Sequence, residues 1–243
     1  MFEIKNLTVA YQGDLILDHL DINFPLGKLT GIIGPNGAGK STMIKGALGL
    51  IKSQSGQTFC NGIPLNKVKN KIAYVEQRAV LDLSFPISVL EVILTGTYPK
   101  LGMFSTPSVR EKKAALEALN KVDLVTLKDH QIGQLSGGQL QRVFIARAIV
   151  QDADVVILDE PFVGIDMVSE QKIMAILKEW CRMGKTVIVV HHDLNKVSEY
   201  FDELVMLNRK LIVQGPVDET YQLANIQKTY SQDFGELLFQ KNE

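Results

Sequence analysis

The chain has 243 residues, 46% of them hydrophobic, enough to bury a core without disulfides as one domain or a domain with a subdomain. Its 26 Lys and Arg against 27 Asp and Glu leave a formal net charge of -1, without the basic excess that broad binding to nucleic-acid backbones needs, so no nucleic-acid partner is expected. Cys60 and Cys181 are too far apart in sequence to suggest a disulfide framework or a paired metal motif, and read as small apolar groups of a reducing, cytoplasmic protein.

No apolar run approaches the roughly 18 to 20 residues that span a bilayer, and Glu3 stands where a signal peptide would carry positive charge. The chain is therefore expected not to cross a membrane; were it to power transport, another polypeptide would supply the path. In chain order, residues 2 to 10 alternate as a strand, a turn at Gln12-Gly13-Asp14 leads to a second strand from Leu15 to Phe24, and LTGII at 29 to 33 is a buried strand. A helix is predicted from Ser41 to Leu50, a hairpin at Asn61-Gly62, and a short strand from Lys71 to Val75.

The pattern then changes. Ser88 with Glu91 and Ser108 with Glu111 are capping boxes ahead of helices, and the Gly-, Pro- and Ser-rich stretch between those helices is a loop. Residues 86–150 thus read as an all-helical insertion. Beyond it come a strand from Asp154 to Leu158, a helix from Val168 to Cys181, a strand from Thr186 to Val190, a short helix from Leu194 to Tyr200 and a strand from Glu203 to Leu207. LIVQG and a helix-like stretch from Val217 to Ala224 close the domain; the tail after Asn225 carries no assignment. Strands alternating with helices argue for a mostly parallel sheet covered on both faces.

Gly34, Pro35, Asn36, Gly37, Ala38, Gly39, Lys40 and Ser41 spell G-x-x-x-x-G-K-S between a buried strand and a helix. The glycines permit a tight loop whose N–H groups converge on phosphate oxygens, Lys40 reaches the β and γ phosphates, and Ser41 can ligate Mg2+. Thr42 supports the first helical turn. Many nucleotide-handling classes share this cradle, but no guanine-specifying N-K-x-D follows it.

DVVILDE places two acids after an apolar strand: Asp159 to hold Mg2+, Glu160 to polarise the attacking water. His191 and His192 follow another buried strand; one imidazole could sense the γ phosphate, and their adjacency, which turns them to opposite faces, argues against a zinc pair. Gln77, just after a strand, could ligate Mg2+ or order water through its amide. Ser136, Gly137, Gly138 and Gln139 open a helix as a second anion site. A second phosphate site beside a complete P-loop makes sense if it serves the ATP of another copy, which proposes a head-to-tail pair with two shared nucleotides.

Together these motifs resemble the nucleotide-binding subunit of an ATP-binding cassette (ABC) transporter, over nearly the whole chain. The resemblance implies a P-loop NTPase (RecA-like) α/β core, residues 1–85 and 151–243, with an antiparallel β subdomain and an all-helical signature subdomain, 86–150, in one ATPase domain spanning 1–243. It makes Gly34 to Thr42 the Walker A segment, Gln77 the Q-loop residue, Leu135 to Gln139 the signature, Asp159 the end of Walker B, Glu160 the general base, Asp166 the D-loop residue and His192 the switch histidine. Tyr11 would stack on adenine, although by itself it suits a strand-edge packing role equally well.

The implied cofactors are ATP and Mg2+, with Ser41, Gln77 and Asp159 around the metal. The implied partners are a second copy and transmembrane permease subunits, the latter docking a short helix near Gln77 and the loop from Ala79 to Phe104; the location is the cytoplasmic face of a bacterial membrane. AYVEQRAVLDLSFP, EPFVGID and VVHHDL look like the ATPases of importers for manganese, zinc or chelated iron, manganese first, which also use an extracytoplasmic metal-binding protein. A DNA-repair ATPase of the same fold is the remoter alternative, disfavoured by the lack of a coiled-coil insertion.

Overall fold

A computed structural model of the chain describes residues 1–11, 14–77, 85–101 and 105–230. The Gln12-Gly13 part of the predicted turn, residues 79–84 and 102–104 of the permease-facing segment, and the end of the tail lie outside those residues. The strands are β1 (Phe2–Tyr11), β2 (Asp14–Phe24), β3 (Leu29–Ile33), β4 (Ser55–Cys60), β5 (Ile63–Pro64), β6 (Ile72–Val75), β7 (Val155–Asp159), β8 (Thr186–Val190), β9 (Glu203–Asn208) and β10 (Lys210–Pro216). The helices are α1 (Lys40–Ala47), α2 (Val89–Thr95), α3 (Val109–Lys121), α4 (Gly137–Gln151), α5 (Met167–Arg182), α6 (Val197–Tyr200) and α7 (Val217–Thr220). By its contacts the chain divides into two units, Met1–Lys69 with Thr186–Glu243, and Asn70–Lys185.

In the first unit an antiparallel sheet runs β2-β1-β4-β5. Its apolar alternation changes phase partway: Phe2 and Ile4 are buried, then Leu7 and Val9; on the partner strand Leu17 is buried, then Leu20, Ile22 and Phe24. An extra residue in each strand accounts for the shift. Asn6 and His19 both adopt left-handed backbone conformations, at φ 52° and 46°, and the register slips beside them while keeping Ile4 opposite Ile22 and Leu7 opposite Leu20. Such bulges keep one face apolar although strict alternation fails. Asn61-Gly62 closes the β4–β5 hairpin where the sequence placed it.

The same unit holds β3 with β8 and β9 parallel on its two sides and β10 antiparallel beyond β9. All five residues of β3 and of β8 are buried, as apolar strands covered on both faces must be. The helix after β3 is shorter than predicted, ending at Ala47 instead of Leu50. Gly49, at φ 68°, turns the chain, and the N–H of Leu50 donates back to the carbonyl of Lys45 at 2.8 Å, closing the helix early. The predicted helix from Val217 to Ala224 is likewise two pieces, α7 and a helical stretch at residues 223–230. At the break, the Thr220 hydroxyl donates to the Pro216 carbonyl, and the Asn225 amide donates to the Thr220 carbonyl.

The second unit pairs β6 with β7 in parallel, Tyr74 opposite Ile157. Both predicted capping boxes are formed: Ser88 with Glu91 opens α2, and Ser108 with Glu111 opens α3. On α3 only Ala115, Ala118 and Leu119 are buried, an i, i+3, i+4 stripe on an otherwise charged helix. In contrast α4 is buried on most sides, touching α2, α3, α5 and β6, so it is the central helix of this unit. Leu119 is fully buried where α3 meets that helix group. Leu119→Ala is therefore expected to lower stability by about 2–5 kcal/mol, read from urea unfolding of the purified chain.

Candidate functional site

In the first unit, β3 delivers the chain into the glycine-rich loop and α1 carries it away. A Cβ at Gly34 would sit 2.0 Å from the carbonyl oxygen of Leu207 near the end of β9, so only glycine allows this backbone crossing. The loop is held by two backbone bonds: Ala38 N–H to the Pro35 carbonyl, 3.1 Å, and Arg209 N–H to the Ala38 carbonyl, 2.9 Å. Asn36 and Gly37 form its exposed tip.

Lys40 is 7% exposed, and its ammonium donates to the carbonyls of Gly34 at 2.7 Å and Pro35 at 2.9 Å. Gly39, at φ 90°, is the N-cap of α1 and provides no side-chain cap, and the first turn carries no acidic residue. These features suit an anion: a buried positive charge and a helix N-terminus whose N–H groups lack a capping side chain. Ser41 and Thr42, half-buried, follow on that first turn.

The histidine pair divides as its alternation predicts. His191 is 3% exposed; its N–H donates to Ile32 at 2.9 Å, and its ring lies 5.5 Å from that of Phe201. His192 is exposed. Of the two imidazoles, only that of His192 is presented to solvent. Tyr11 is the last residue of β1, in register with Asp14.

In the second unit, Asp159 is the last residue of β7 instead of the first beyond it, and is 2% exposed. The Tyr74 hydroxyl, from the neighbouring strand, donates to Asp159 Oδ2 at 3.3 Å. Burial first, then the carboxylates of Asp159 and Glu76, pushes the Tyr74 phenol above its ordinary range, so it stays a donor at any physiological pH. Glu160 follows in a left-handed conformation at φ 50°, unusual for a residue with a long side chain. Its Oε2 accepts a 2.7 Å bond from Gln77 Nε2, joining two predicted site residues 83 positions apart.

The signature segment forms a third capping box. Ser136 Oγ accepts from the N–H of Gln139 at 3.3 Å, and Gln139 Oε1 accepts from the N–H of Ser136 at 2.9 Å. Gly137 and Gly138 are the first two residues of α4. A Cβ on Gly138 would approach Ser169 Oγ to 2.6 Å and Asp166 Oδ2 to 2.8 Å, so glycine lets α4 start against the cap of α5. Asp166 is that cap, accepting from the Ser169 N–H at 2.9 Å and hydroxyl at 2.7 Å, bonds that hold its carboxyl below the usual carboxylate range.

The structure thus brings Gln77 to Glu160 and Gly138 to Asp166 within one unit, and gathers Gly34 to Thr42 in the other. Two contributors escaped sequence reasoning. Tyr74 is an aromatic with a polar tip on a largely buried strand, a residue that wants a partner, and Ser169 stands three after an N-cap acid; neither signal is specific by itself. Among the described residues no group of three or more His, Cys, Asp or Glu is placed to hold a metal ion. Within the second unit, the Asp159 carboxylate and the Gln77 amide carry oxygens of the hard kind that Mg2+ takes.

Residues 17–163 match the ABC transporter family. The manganese transport system ATP-binding protein MntB of Listeria monocytogenes is 51% identical over 94% of this chain and 95% of its own length. The zinc transport system ATP-binding protein TroB of Treponema pallidum is 44% identical over 98% of this chain and 89% of its own. Among solved structures, CbiO1 of Clostridium perfringens, part of the ABC transporter complex CbiONQ, superposes with a TM-score of 0.76 at 28% identity, covering 98% of each chain. A bacterial ABC transporter cassette solved as a dimer gives a TM-score of 0.77 at 31% identity, over 89% of this chain and 99% of that one.

The chain belongs to the ABC transporter family as an ATP-binding subunit, with the RecA-like P-loop core, antiparallel sheet and helical subdomain of that fold. Its sequence closely resembles the manganese and zinc members named above.

Two substitutions probe the geometry. Gly34→Ala should abolish nucleotide binding in equilibrium titration with a fluorescent ATP analogue, because the methyl group meets backbone that cannot yield. Tyr74→Phe removes one donor from a buried carboxylate and should cost about 1–3 kcal/mol in urea unfolding.

Proposed function

We propose that this chain hydrolyses Mg2+-ATP as the peripheral motor subunit of a metal-ion importer, with manganese as the first cargo. The chemistry rests on Glu160: a carboxylate directly after the buried Asp159, held at 2.7 Å by the Gln77 amide. The cargo rests on the 51% identity to a manganese transport ATP-binding protein, with zinc and chelated iron as the alternatives.

In this reading the loop N–H groups of Asn36, Gly37 and Gly39 and the Lys40 ammonium bind the β and γ phosphates, and Tyr11 stacks on adenine. Ser41, Gln77 and Asp159 hold Mg2+, which when bound neutralises charge on the β and γ oxygens. Glu160 accepts a proton from the attacking water, and Gln77 fixes the orientation of that carboxylate. His192 senses the γ phosphate from the exposed end of its strand.

Ser136, Gly137, Gly138 and Gln139, with Asp166, serve the nucleotide of a second copy. The capping box uses the N–H groups of Ser136 and Gln139, and the N–H groups left at the start of α4 for an anion are those of Gly137 and Gly138. We keep residues 86–150 as the signature-bearing helical segment, with residues 1–85 and 151–243 as the catalytic core and β subdomain. Closure of the pair on ATP would move permease subunits at the cytoplasmic face of the membrane, with an extracytoplasmic metal-binding protein delivering the ion. No helix among the described residues is long and apolar enough to cross a membrane, so the path is assigned to the permease.

Glu160→Gln preserves size and removes the base; it should bind ATP and elute as a stable dimer in size-exclusion chromatography with Mg2+-ATP, while turnover falls by at least about a hundred-fold. A monomer with unimpaired turnover would sink the assignment. Ser136→Arg should leave ATP binding to the isolated chain intact and abolish turnover. The cargo is tested by reconstituting the chain with its permease and binding protein and asking which ion stimulates ATP hydrolysis; stimulation by zinc but not manganese would replace the first cargo with the second.

A further inference from the structure

Tyr221 lies in the short link between α7 and the helical stretch at residues 223–230, far in sequence from every motif of the nucleotide site. Its hydroxyl donates to the carbonyl of Leu194 at 2.7 Å. Leu194 is two residues past His192, so this bond reaches the downstream side of the histidine loop.

The loop is also anchored from upstream. The His191 N–H is tied to Ile32 at 2.9 Å, and its ring is wedged against Tyr200 and Phe201. Downstream, Asp193 turns the chain into a single 3-10 turn by accepting from the Asn195 N–H at 3.0 Å, a local bond that does not connect the loop to anything else. The Tyr221 bond does make that connection.

The link itself is hydrogen-bonded on both sides. The Tyr221 N–H donates to Val217 at 2.8 Å, and Asn225 holds the Thr220 carbonyl at 2.9 Å. Further on, Asn208 at the end of β9 donates to the Thr229 carbonyl at 2.8 Å, and the next residue, Arg209, holds the glycine-rich loop through Ala38. The C-terminal stretch is therefore fastened beside both phosphate-facing loops of the first unit.

We infer that Tyr221 is a positioning residue for His192, fixing from the C-terminal segment the loop that presents the imidazole to the γ phosphate. The inference rests on the proposed role of His192. Partial burial, and the neighbouring Asp193 carboxylate, raise the Tyr221 phenol above its ordinary range, so the hydroxyl keeps its proton and the bond persists across the working pH range. The Leu194 carbonyl accepts the bond at 2.7 Å from a half-buried Tyr221. Phenylalanine would keep the ring and lose only the bond.

The test uses the full chain with Tyr221→Phe. Turnover should fall roughly three- to ten-fold, the scale of one lost hydrogen bond expressed in the transition state, while the Kd for Mg2+-ATP stays within about two-fold. In imidazole-selective NMR the His192 resonances should shift while those of His19 and His130 hold, and amide exchange at Asn195 and Lys196 should quicken. Unchanged turnover with unchanged His192 resonances overturns the inference, as does an equal loss of binding and turnover with the His192 resonances in place. His192→Ala separates the two levels: if that variant retains full turnover, the role given to His192 fails, whereas an inactive His192→Ala beside a fully active Tyr221→Phe removes the positioning role alone.

Discussion

Charge buried at a strand end and at a helix start governs this molecule. Asp159 and Lys40 are 2% and 7% exposed, and an ionised group taken from water costs several kcal/mol unless fixed partners replace its hydration. Tyr74 answers Asp159, and the carbonyls of Gly34 and Pro35 answer Lys40. Because these partners are strand residues and loop backbone, the charged groups are held in place without a ligand, and a phosphate or a metal ion finds dipoles already oriented.

The same requirement explains the backbone departures. Glu160 occupies a left-handed conformation directly after the strand that ends in Asp159, which lets two consecutive carboxylates take different partners, Tyr74 for one and Gln77 for the other. Gly34 crosses Leu207 at a distance no side chain tolerates, and Gly138 lets α4 begin against Asp166 and Ser169. Each close approach brings a helix or loop terminus with open N–H groups to a defined place, as anion recognition demands.

Much of the site is readable from local pattern because its chemistry is local. Glycines between a buried strand and a helix, paired acids after an apolar run, and Ser-x-x-Glu or Ser-x-x-Gln before a helix are each set within a few residues, and the structure forms them so. Prediction fails where one segment answers another distant in sequence. The phase change in β1 depends on bulges matched across two strands, and the Tyr74 and Tyr221 bonds on partners chosen by packing; the early end of α1 at Gly49, the break after Thr220 and the Ser169 bond to Asp166 are local, each resting on a residue whose signal is not specific by itself.

By itself the sequence determined the order of strands and helices, the nucleotide-binding motifs and the family, since motif spacing and hydrophobic period are properties of the chain. Only the tertiary structure decided which histidine faces solvent, that Gln77 holds Glu160, and that a tyrosine near the C-terminus reaches the loop after β8. The reason is physical: a hydrogen bond between groups tens of residues apart is specified by the whole set of packed elements that bring donor and acceptor within 3 Å or so, and no short stretch of sequence encodes that distance.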